Sequence, residues 1–160
     1  MKTLILLRHA KSSWNFPHLN DYDRPLNDRG KRDAPKMAQW LSSQAINADL
    51  IISSGAVRAK NTAIAFQAVL NAPLKIDDNL YHASRSKLLN LIKLTDNDIN
   101  GLILVSHNPG LNDLADYLLS GFSDNIPTTG IVSLKLDTQK WSEASPENAS
   151  LHFFQYPKNL

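Results

Sequence analysis

The sequence predicts an α/β fold of three layers, in which helices cover both faces of a mainly parallel sheet. Short apolar segments recur along the chain, and each of the first three is followed by a longer segment with apolar residues at helical spacing. This alternation is typical of β–α units, whose strands lie side by side in the middle layer. A length of 160 residues is enough for one domain and too short for two. We therefore predict a single domain over residues 1–160.

Five segments are predicted to be strands. The first three are apolar and bounded by turn or capping residues, as expected for strands buried on both faces. The last two are separated by a polar turn region, and we expect them to complete or edge the sheet. In chain order the segments are Leu4–Leu7, Asp49–Ile52, Gly101–Val105, Ile131–Leu136 and Leu151–Phe154.

The first predicted helix follows Asn27, a residue type that often caps helix N-termini. An apolar stripe at helical spacing supports it, formed by Ala34, Met37, Ala38 and Leu41. Pro35 lies inside this stripe, so the helix either kinks there or begins near that proline.

A second helix is predicted from about Ala56 to Leu70, with an apolar face that includes Val57, Ile64 and Ala68. A third covers roughly Ser84 to Leu94.

The fourth predicted helix begins at Asn108-Pro109. Asparagine is a favoured N-cap, and proline is favoured at the first helical position. The helix is expected to end near Ser120-Gly121, because glycine commonly follows the last helical turn.

The composition excludes several functional classes. The chain has no cysteine, which excludes disulfide scaffolds, thiol catalysis and metal sites with cysteine ligands. A net charge of +2 is too small to indicate nucleic-acid binding through bulk charge. No apolar run approaches the roughly 20 residues that span a bilayer, and the apolar start is shorter than the core of a signal peptide. We therefore expect a cytoplasmic protein that binds neither membranes nor nucleic acids.

Polar clusters follow three of the predicted strands. They are Arg8-His9 after the first strand, Ser53–Gly55 with Arg58 after the second, and Ser106–Asn108 after Gly101–Val105. Ligands of open α/β sheets bind where the carboxyl ends of the strands meet, so these clusters should converge. Guanidinium groups and helix N-termini both suit phosphate oxygens. The clusters therefore predict a site for a phosphoryl group.

Four segments resemble, in chain order, motifs of the histidine phosphatase superfamily, which also contains the cofactor-dependent phosphoglycerate mutases. The segments are Leu7–Asn15, Asp23–Gly30, Ser53–Ala63 and Ser106–Gly110. The first is similar to the Arg-His-Gly signature of that family, and the resemblance as a whole covers nearly the whole chain, from Leu4 to about Val132. With so short a chain, the likeness is greatest to the small SixA-type phosphohistidine phosphatases. The resemblance implies a phosphoglycerate mutase-like fold.

The resemblance implies that His9 is the nucleophile that accepts the phosphoryl group. It places Arg8, Arg58 and His107 around that group, and Asn15 and Ser12 in contact with the substrate. A neutral imidazole is a competent nucleophile, and a phospho-enzyme divides one difficult displacement into two easier ones. Phosphoryl transfer needs mainly positioning and charge stabilisation, which arginines provide. No His-x-x-x-His or His-Glu-x-x-His spacing occurs, so we expect neither a metal nor another cofactor.

The segment Leu80–Ser84 lies close to where larger relatives supply a carboxylic general acid, yet it contains no carboxylate. An imidazole leaves phosphorus more easily than an alkoxide does, so this gap favours a substrate with a P–N bond. Asp77, Asp78 and His82 remain alternative proton donors.

These observations predict a metal-independent phosphatase that hydrolyses phosphohistidine in a partner protein through a phosphohistidine intermediate on His9. The partner could be a histidine phosphotransfer domain in signal transduction. Two alternatives remain, a phosphomonoesterase for small molecules and a non-catalytic module that binds phosphoproteins.

Overall fold

The computed structural model of the chain describes residues 1–160 and contains six strands and four helices. The strands are β1 (Lys2–Arg8), β2 (Leu50–Ser53), β3 (Leu74–Ile76), β4 (Gly101–Ser106), β5 (Ile131–Leu136) and β6 (Ala149–Gln155). The helices are α1 (Asp28–Ser42), α2 (Val57–Leu70), α3 (Arg85–Lys93) and α4 (Gly110–Leu118). All the predicted strands and helices are present, and β3 is an additional short strand. None of the helices combines the length and the apolar character needed to cross a membrane.

The six strands form one sheet in the order β3-β2-β4-β1-β5-β6. The pairs β3-β2, β2-β4 and β4-β1 are parallel, whereas β5 runs antiparallel to both of its neighbours. Strand β1 therefore lies inside the sheet, with Leu4 opposite Leu102 of β4 and Leu134 of β5. The prediction of a mainly parallel sheet completed by two late strands is confirmed.

The core has two halves, one on each face of the sheet. Because side chains alternate along a strand, Leu4 and Leu6 of β1 pack on the face covered by α3 and α4, whereas Ile5 and Leu7 pack on the face covered by α1 and α2. The helices on both faces confirm the predicted three-layer α/β/α architecture.

Helix α1 begins at Asp28 and contains Pro35 in its interior. The start is set by Asn27, whose Oδ1 accepts a hydrogen bond of 2.9 Å from the backbone N–H of Gly30. The alternative start near Pro35 is wrong, because this cap lies a full two turns before the proline. The predicted stripe of α1 is buried as expected.

Helix α2 has its predicted bounds but buries a different face. Ala59, Ala63 and Phe66 are fully buried, whereas Ile64 is 44% exposed and Ala68 is also exposed. The predicted apolar face was therefore wrong at those two positions. Residues 59, 63 and 66 follow the helical period and face the sheet, which leaves Ile64 on the outer side.

Helix α4 begins at Gly110, and its N-cap residue is Pro109 rather than Asn108. Asn108 still serves the first turn, because its Oδ1 accepts a hydrogen bond of 3.1 Å from the backbone N–H of Asn112. The predicted cap was therefore wrong by one residue. Proline has no N–H to donate, and the side chain of Asn108 reaches past Pro109 to the backbone of Asn112. The helix ends at Leu118, slightly before the predicted Ser120-Gly121.

Candidate active site

A cavity of about 230 Å³ opens at the carboxyl ends of β1, β2 and β4. We call it the His9 pocket, and its lining includes three histidines and three arginines, His9, His82, His107, Arg8, Arg24 and Arg58. No aspartate or glutamate is among the lining residues. The predicted convergence of the strand-end clusters is thus present, and the pocket is suited to an anion.

His9 directly follows β1 and is only 7% exposed. Its Nδ1 lies 2.8 Å from the carbonyl oxygen of Ala10, a partner that can only accept a hydrogen bond. In the neutral ring the proton therefore lies on Nδ1, and Nε2 keeps a free lone pair. Burial lowers the pKa of His9 from 6.5 to about 3, and the charges of Arg58 and Arg8 add to that shift, against the opposing hydrogen bond to Ala10. His9 is accordingly a neutral imidazole with a free Nε2 lone pair at neutral pH.

His107 follows β4, and its ring centre lies 5.1 Å from that of His9. Its Nε2 lies 2.9 Å from Ser54 Oγ, which also accepts a hydrogen bond from the backbone N–H of Ala56. The hydroxyl of Ser54 can therefore donate to Nε2, which leaves the ring proton on Nδ1. Nδ1 is buried and has no partner in the protein. Burial, followed by the charges of His9 and Arg58, lowers the pKa of His107 to about 3, so it is a neutral hydrogen-bond donor.

Arg8 and Arg58 enter the pocket from different elements. Arg8 ends β1, and its Nη1 donates a hydrogen bond of 3.0 Å to the carbonyl oxygen of Ile126, while its buried Nε has no partner. Arg58 lies in the first turn of α2 and donates to the backbone oxygen of Asp21 at 2.7 Å and to Asp21 Oδ2 at 2.9 Å. Burial and the neighbouring Arg58 lower the pKa of Arg8. Two guanidinium groups are thus held in fixed positions beside His9.

Asp21 orients two of the pocket arginines, Arg58 and Arg24. Its Oδ2 accepts hydrogen bonds from Tyr81 at 2.6 Å and from Arg58, and its Oδ1 accepts one from Arg24 at 3.1 Å. Burial raises the pKa of the Asp21 carboxyl, but the hydrogen bonds from Tyr81 and Arg58 outweigh it and hold that pKa well below its usual range. Asp21 is therefore ionised whenever the protein is folded near neutral pH.

Arg24 is the main pocket residue that sequence reasoning missed. Its Nη2 donates a hydrogen bond of 2.6 Å to Ser12 Oγ, and its guanidinium carbon lies 3.3 Å from the ring centre of the exposed Trp14. Arg24 belongs to the segment Asp23–Gly30 that had been matched to the family, so the motif could have indicated it. Asp21 was also missed, because no local sequence pattern indicates that its loop packs against the loop that carries Tyr81.

The structure brings together five of the six residues predicted for the site. Arg8, His9, Ser12, Arg58 and His107 all line the His9 pocket. The sixth residue, Asn15, does not line it. Asn15 is exposed, and its backbone N–H donates a hydrogen bond of 3.0 Å to Ser13 Oγ.

Of the three alternative proton donors, only His82 lines the pocket. Asp77 Oδ1 accepts a hydrogen bond from the backbone N–H of Asn79, so its carboxylate caps a short turn. Asp78 Oδ1 accepts hydrogen bonds from Tyr22 and from the backbone N–H of Gly55. His82 instead places Nε2 3.2 Å from Asp21 Oδ2.

A larger cavity of about 610 Å³ lies elsewhere, beside β2, β3 and α3. Its lining mixes leucines and isoleucines with Lys75, Lys87, Asp77 and Asp96, and contains neither histidine nor arginine. Of these two cavities, the smaller His9 pocket is therefore the candidate active site, since it combines a neutral imidazole that has a free nitrogen with fixed cations. No cluster of three or more His, Asp or Glu side chains that could hold a metal ion occurs in the chain.

Comparison with known proteins supports this assignment. Residues 4–88 match the family model of the histidine phosphatase superfamily, branch 1. An uncharacterised chloroplastic protein of Arabidopsis thaliana is 35% identical over 154 residues, which cover 89% of this chain and 70% of that protein.

Two solved structures share the fold over nearly their whole length. A protein from Agrobacterium tumefaciens, provisionally named phosphohistidine phosphatase SixA, superimposes with a TM-score of 0.83 and 27% identity, covering 98% of both chains. The protein histidine phosphatase SixA, complexed with tungstate, gives a TM-score of 0.84 at 22% identity, again covering 98% of both chains. The chain is therefore a SixA-type member of the histidine phosphatase superfamily, and a phosphatase.

Proposed function

We propose that this phosphatase hydrolyses phosphohistidine in a partner protein through a covalent phosphohistidine intermediate on His9. The observation that carries the proposal is the state of His9, a buried neutral imidazole with Nε2 free, beside the guanidinium groups of Arg8 and Arg58. A nitrogen nucleophile with fixed cations nearby is the arrangement that stepwise phosphoryl transfer requires.

In the first step, His9 Nε2 forms a bond to phosphorus while the P–N bond of the substrate breaks. The electron pair of that bond stays on the leaving imidazole, and His82 donates a proton to the leaving ring. Arg8, Arg58 and His107 stabilise the charge that spreads over the phosphoryl oxygens. The ionised Asp21 lies 3.2 Å from His82 Nε2 and orients the ring of His82 at the edge of the pocket.

In the second step, a water molecule attacks the phosphorus atom of phospho-His9. The bond to Nε2 breaks, inorganic phosphate leaves, and the water gives its proton to the now neutral His82. Both histidines return to their starting states, so the cycle is balanced without an external acid or base. The arginines supply the positive charge, which supports a reaction that does not need a metal ion.

The choice of a P–N substrate rests on the pocket lining, which contains no carboxylic acid. An alkoxide leaving group needs a proton donor more than an imidazole does, because an alkoxide is a far stronger base. With His82 rather than a carboxylic acid as its donor, the pocket favours the leaving group that depends less on protonation, which is the imidazole of phosphohistidine and not an alkoxide.

The intermediate can be tested by acid-free denaturation of the enzyme during turnover of labelled phosphoramidate. We expect label that is stable to alkali, labile to acid and absent from a His9→Ala variant. A His18→Ala variant is the matched control, because His18 is an exposed histidine outside the pocket. Undiminished label in the His9→Ala variant would overturn the role of His9.

A substrate panel run with a chelator present tests the substrate class and the metal together. We expect kcat/KM on a phosphohistidine protein to exceed that on alkyl phosphates, with no loss on chelation. A preference for alkyl phosphates would favour the phosphomonoesterase alternative. Phosphate binding without turnover of any compound would favour the binding module.

A further inference from the structure

A second concave surface adjoins the His9 pocket. It encloses about 290 Å³ between α1, the loop at Pro127–Thr128 and the C-terminal turn at 157–159. We call it the Lys36 pocket, and its charged and polar lining includes Arg29, Asp33, Lys36, Thr128, Tyr156 and Lys158. None of these residues except Thr128 lines the His9 pocket.

Thr128 connects the two pockets, because it lines both. Arg29 Nη2 donates a hydrogen bond of 3.3 Å to Thr128 Oγ1, which ties the start of α1 to this shared wall. The start of α1 is also packed tightly on the loop after β1, since a Cβ atom at Gly30 would lie 2.2 Å from the carbonyl oxygen of Lys11. The Lys36 pocket is thus held in a fixed position next to the candidate active site.

The charges of the Lys36 pocket are only partly neutralised. Arg29 forms an ion pair of 3.7 Å with Asp33, whereas neither Lys36 nor Lys158 forms an ion pair or a side-chain hydrogen bond. Both lysines are exposed. The ammonium groups of these two lysines are therefore available to bind an anionic group of another molecule.

The residues that line the Lys36 pocket indicate whether its anion is a small molecule or a side chain of another protein. Pockets for small molecules are lined mainly by apolar side chains that bury most of the ligand, whereas four of the eight residues that line this one are charged. Exposed charges of this kind act at the edges of protein–protein contacts, where they steer association and fix orientation.

We propose that the Lys36 pocket binds carboxylate side chains of the phosphorylated protein substrate, next to the phosphohistidine that enters the His9 pocket. The inference rests on the proposed phosphohistidine phosphatase function, and it adds a recognition site for the substrate protein outside the reacting group. It predicts that the enzyme favours phosphohistidines with acidic residues on the same protein surface.

The test compares a Lys36→Ala/Lys158→Ala variant with the wild-type chain. The substrates are a histidine phosphotransfer domain phosphorylated with phosphoramidate, and phosphoramidate itself. At low salt we expect kcat/KM on the phosphorylated domain to fall about fivefold, through slower association, with no change on phosphoramidate. In 1 M salt, where the Debye length is about 3 Å, the difference should vanish.

A Lys31→Ala/Arg32→Ala variant is the matched control, because it removes two exposed positive charges of α1 that do not line the pocket. An equal loss in this control, or no loss in the Lys36→Ala/Lys158→Ala variant, would overturn the proposal.

A binding measurement tests the Lys36 pocket independently of the proposed phosphatase function. Hexaglutamate is titrated into wild type and both variants at low salt, followed by amide chemical shifts. We expect shifts centred on Lys36 and Lys158 that weaken only in the Lys36→Ala/Lys158→Ala variant. If no substrate is turned over, the proposed function fails, and the peptide titration still decides whether the pocket binds carboxylates. Equal affinity in all three proteins would contradict it.

Discussion

His82 combines an unusual backbone conformation with a position in the candidate active site. Its φ of 52° lies in the left-handed region, which costs a non-glycine residue on the order of 1–2 kcal/mol. This conformation accompanies a ring whose centre lies 4.1 Å from that of Tyr81 and 5.7 Å from that of His107. Packing on these two rings and the contact with Asp21 hold the ring in place, so the proposed proton donor is positioned before substrate arrives.

The proposed role of His82 as proton donor predicts that the effect of replacing it depends on the leaving group. In a His82→Gln variant we expect kcat/KM on phosphohistidine, which reports the transfer to His9, to fall about 100-fold or more, as for the loss of a general acid. On a nitro-substituted aryl phosphate, whose leaving group departs as a stable anion, the loss in kcat/KM should be small. An equal loss on both substrates would show that His82 only supports the pocket. His18→Gln, which alters an exposed histidine outside the pocket, is the control.

Sequence reasoning could assign to the site those residues that immediately follow a strand. Arg8, His9 and His107 come at the carboxyl ends of β1 and β4, where parallel strands of an α/β sheet always meet. Asp21 and Arg24 could not be assigned in the same way, because they lie on the long loop between β1 and α1. Their place depends on how that loop folds back over the pocket, which no periodic pattern encodes.

At the scale of elements, α2 illustrates which residues form the buried face of a helix that packs on a sheet. Arg58 in its first turn and Phe66 two turns later lie on the same face of the helix, so the rotation that places Arg58 at the pocket also buries Phe66 against the sheet and turns Ile64 outward. The residue at the site and the apolar residues of the core therefore share one face of α2.

This orientation predicts very different costs for two substitutions in α2. We expect Phe66→Ala to lower the free energy of unfolding by about 3–5 kcal/mol, because it leaves a cavity in the core. Ile64→Ala should cost less than about 1 kcal/mol, since that side chain is half exposed. Urea denaturation of both variants measures the difference. Similar costs would mean that α2 is rotated differently.

The boundaries of the strands and helices show which elements can be predicted from local sequence patterns alone. The strand Ile131–Leu136 and the cap at Asn27 were predicted at their observed positions, because apolar runs and capping residues act locally. Strand β3 was missed because it has only three residues, includes Lys75 and is largely exposed at the sheet edge. Its pairing with β2 comes from the tertiary fold.

At the scale of the whole molecule, the buried histidines make stability depend on pH. His9 and His107 have a pKa of about 3 when folded, against 6.5 in the unfolded chain. Below about pH 6.5 the unfolded chain binds protons that the folded chain does not, so the stability present at higher pH is lost as the pH falls towards 3. The lowered pKa of Asp21 acts in the same direction at the acidic end.

We therefore expect the free energy of unfolding to fall between pH 7 and pH 4. The slope contributed by each buried histidine is at most about 1.4 kcal/mol per pH unit. A His9→Gln/His107→Gln variant should show a flatter slope, whereas His18→Gln should keep that of the wild type. Urea denaturation at several pH values provides the measurement. An unchanged slope in the double variant would contradict the burial of neutral histidines.

The strand order also determines when the pocket can form during synthesis. Strand β1 is made first, yet its neighbours β4 and β5 begin at residues 101 and 131, and Arg8 and His9 accept hydrogen bonds from the backbone N–H of Thr129. Contacts so distant in sequence close late in folding. His9 is synthesised well before Thr129, so the pocket around His9 can form only after the segment that carries Thr129 has also left the ribosome.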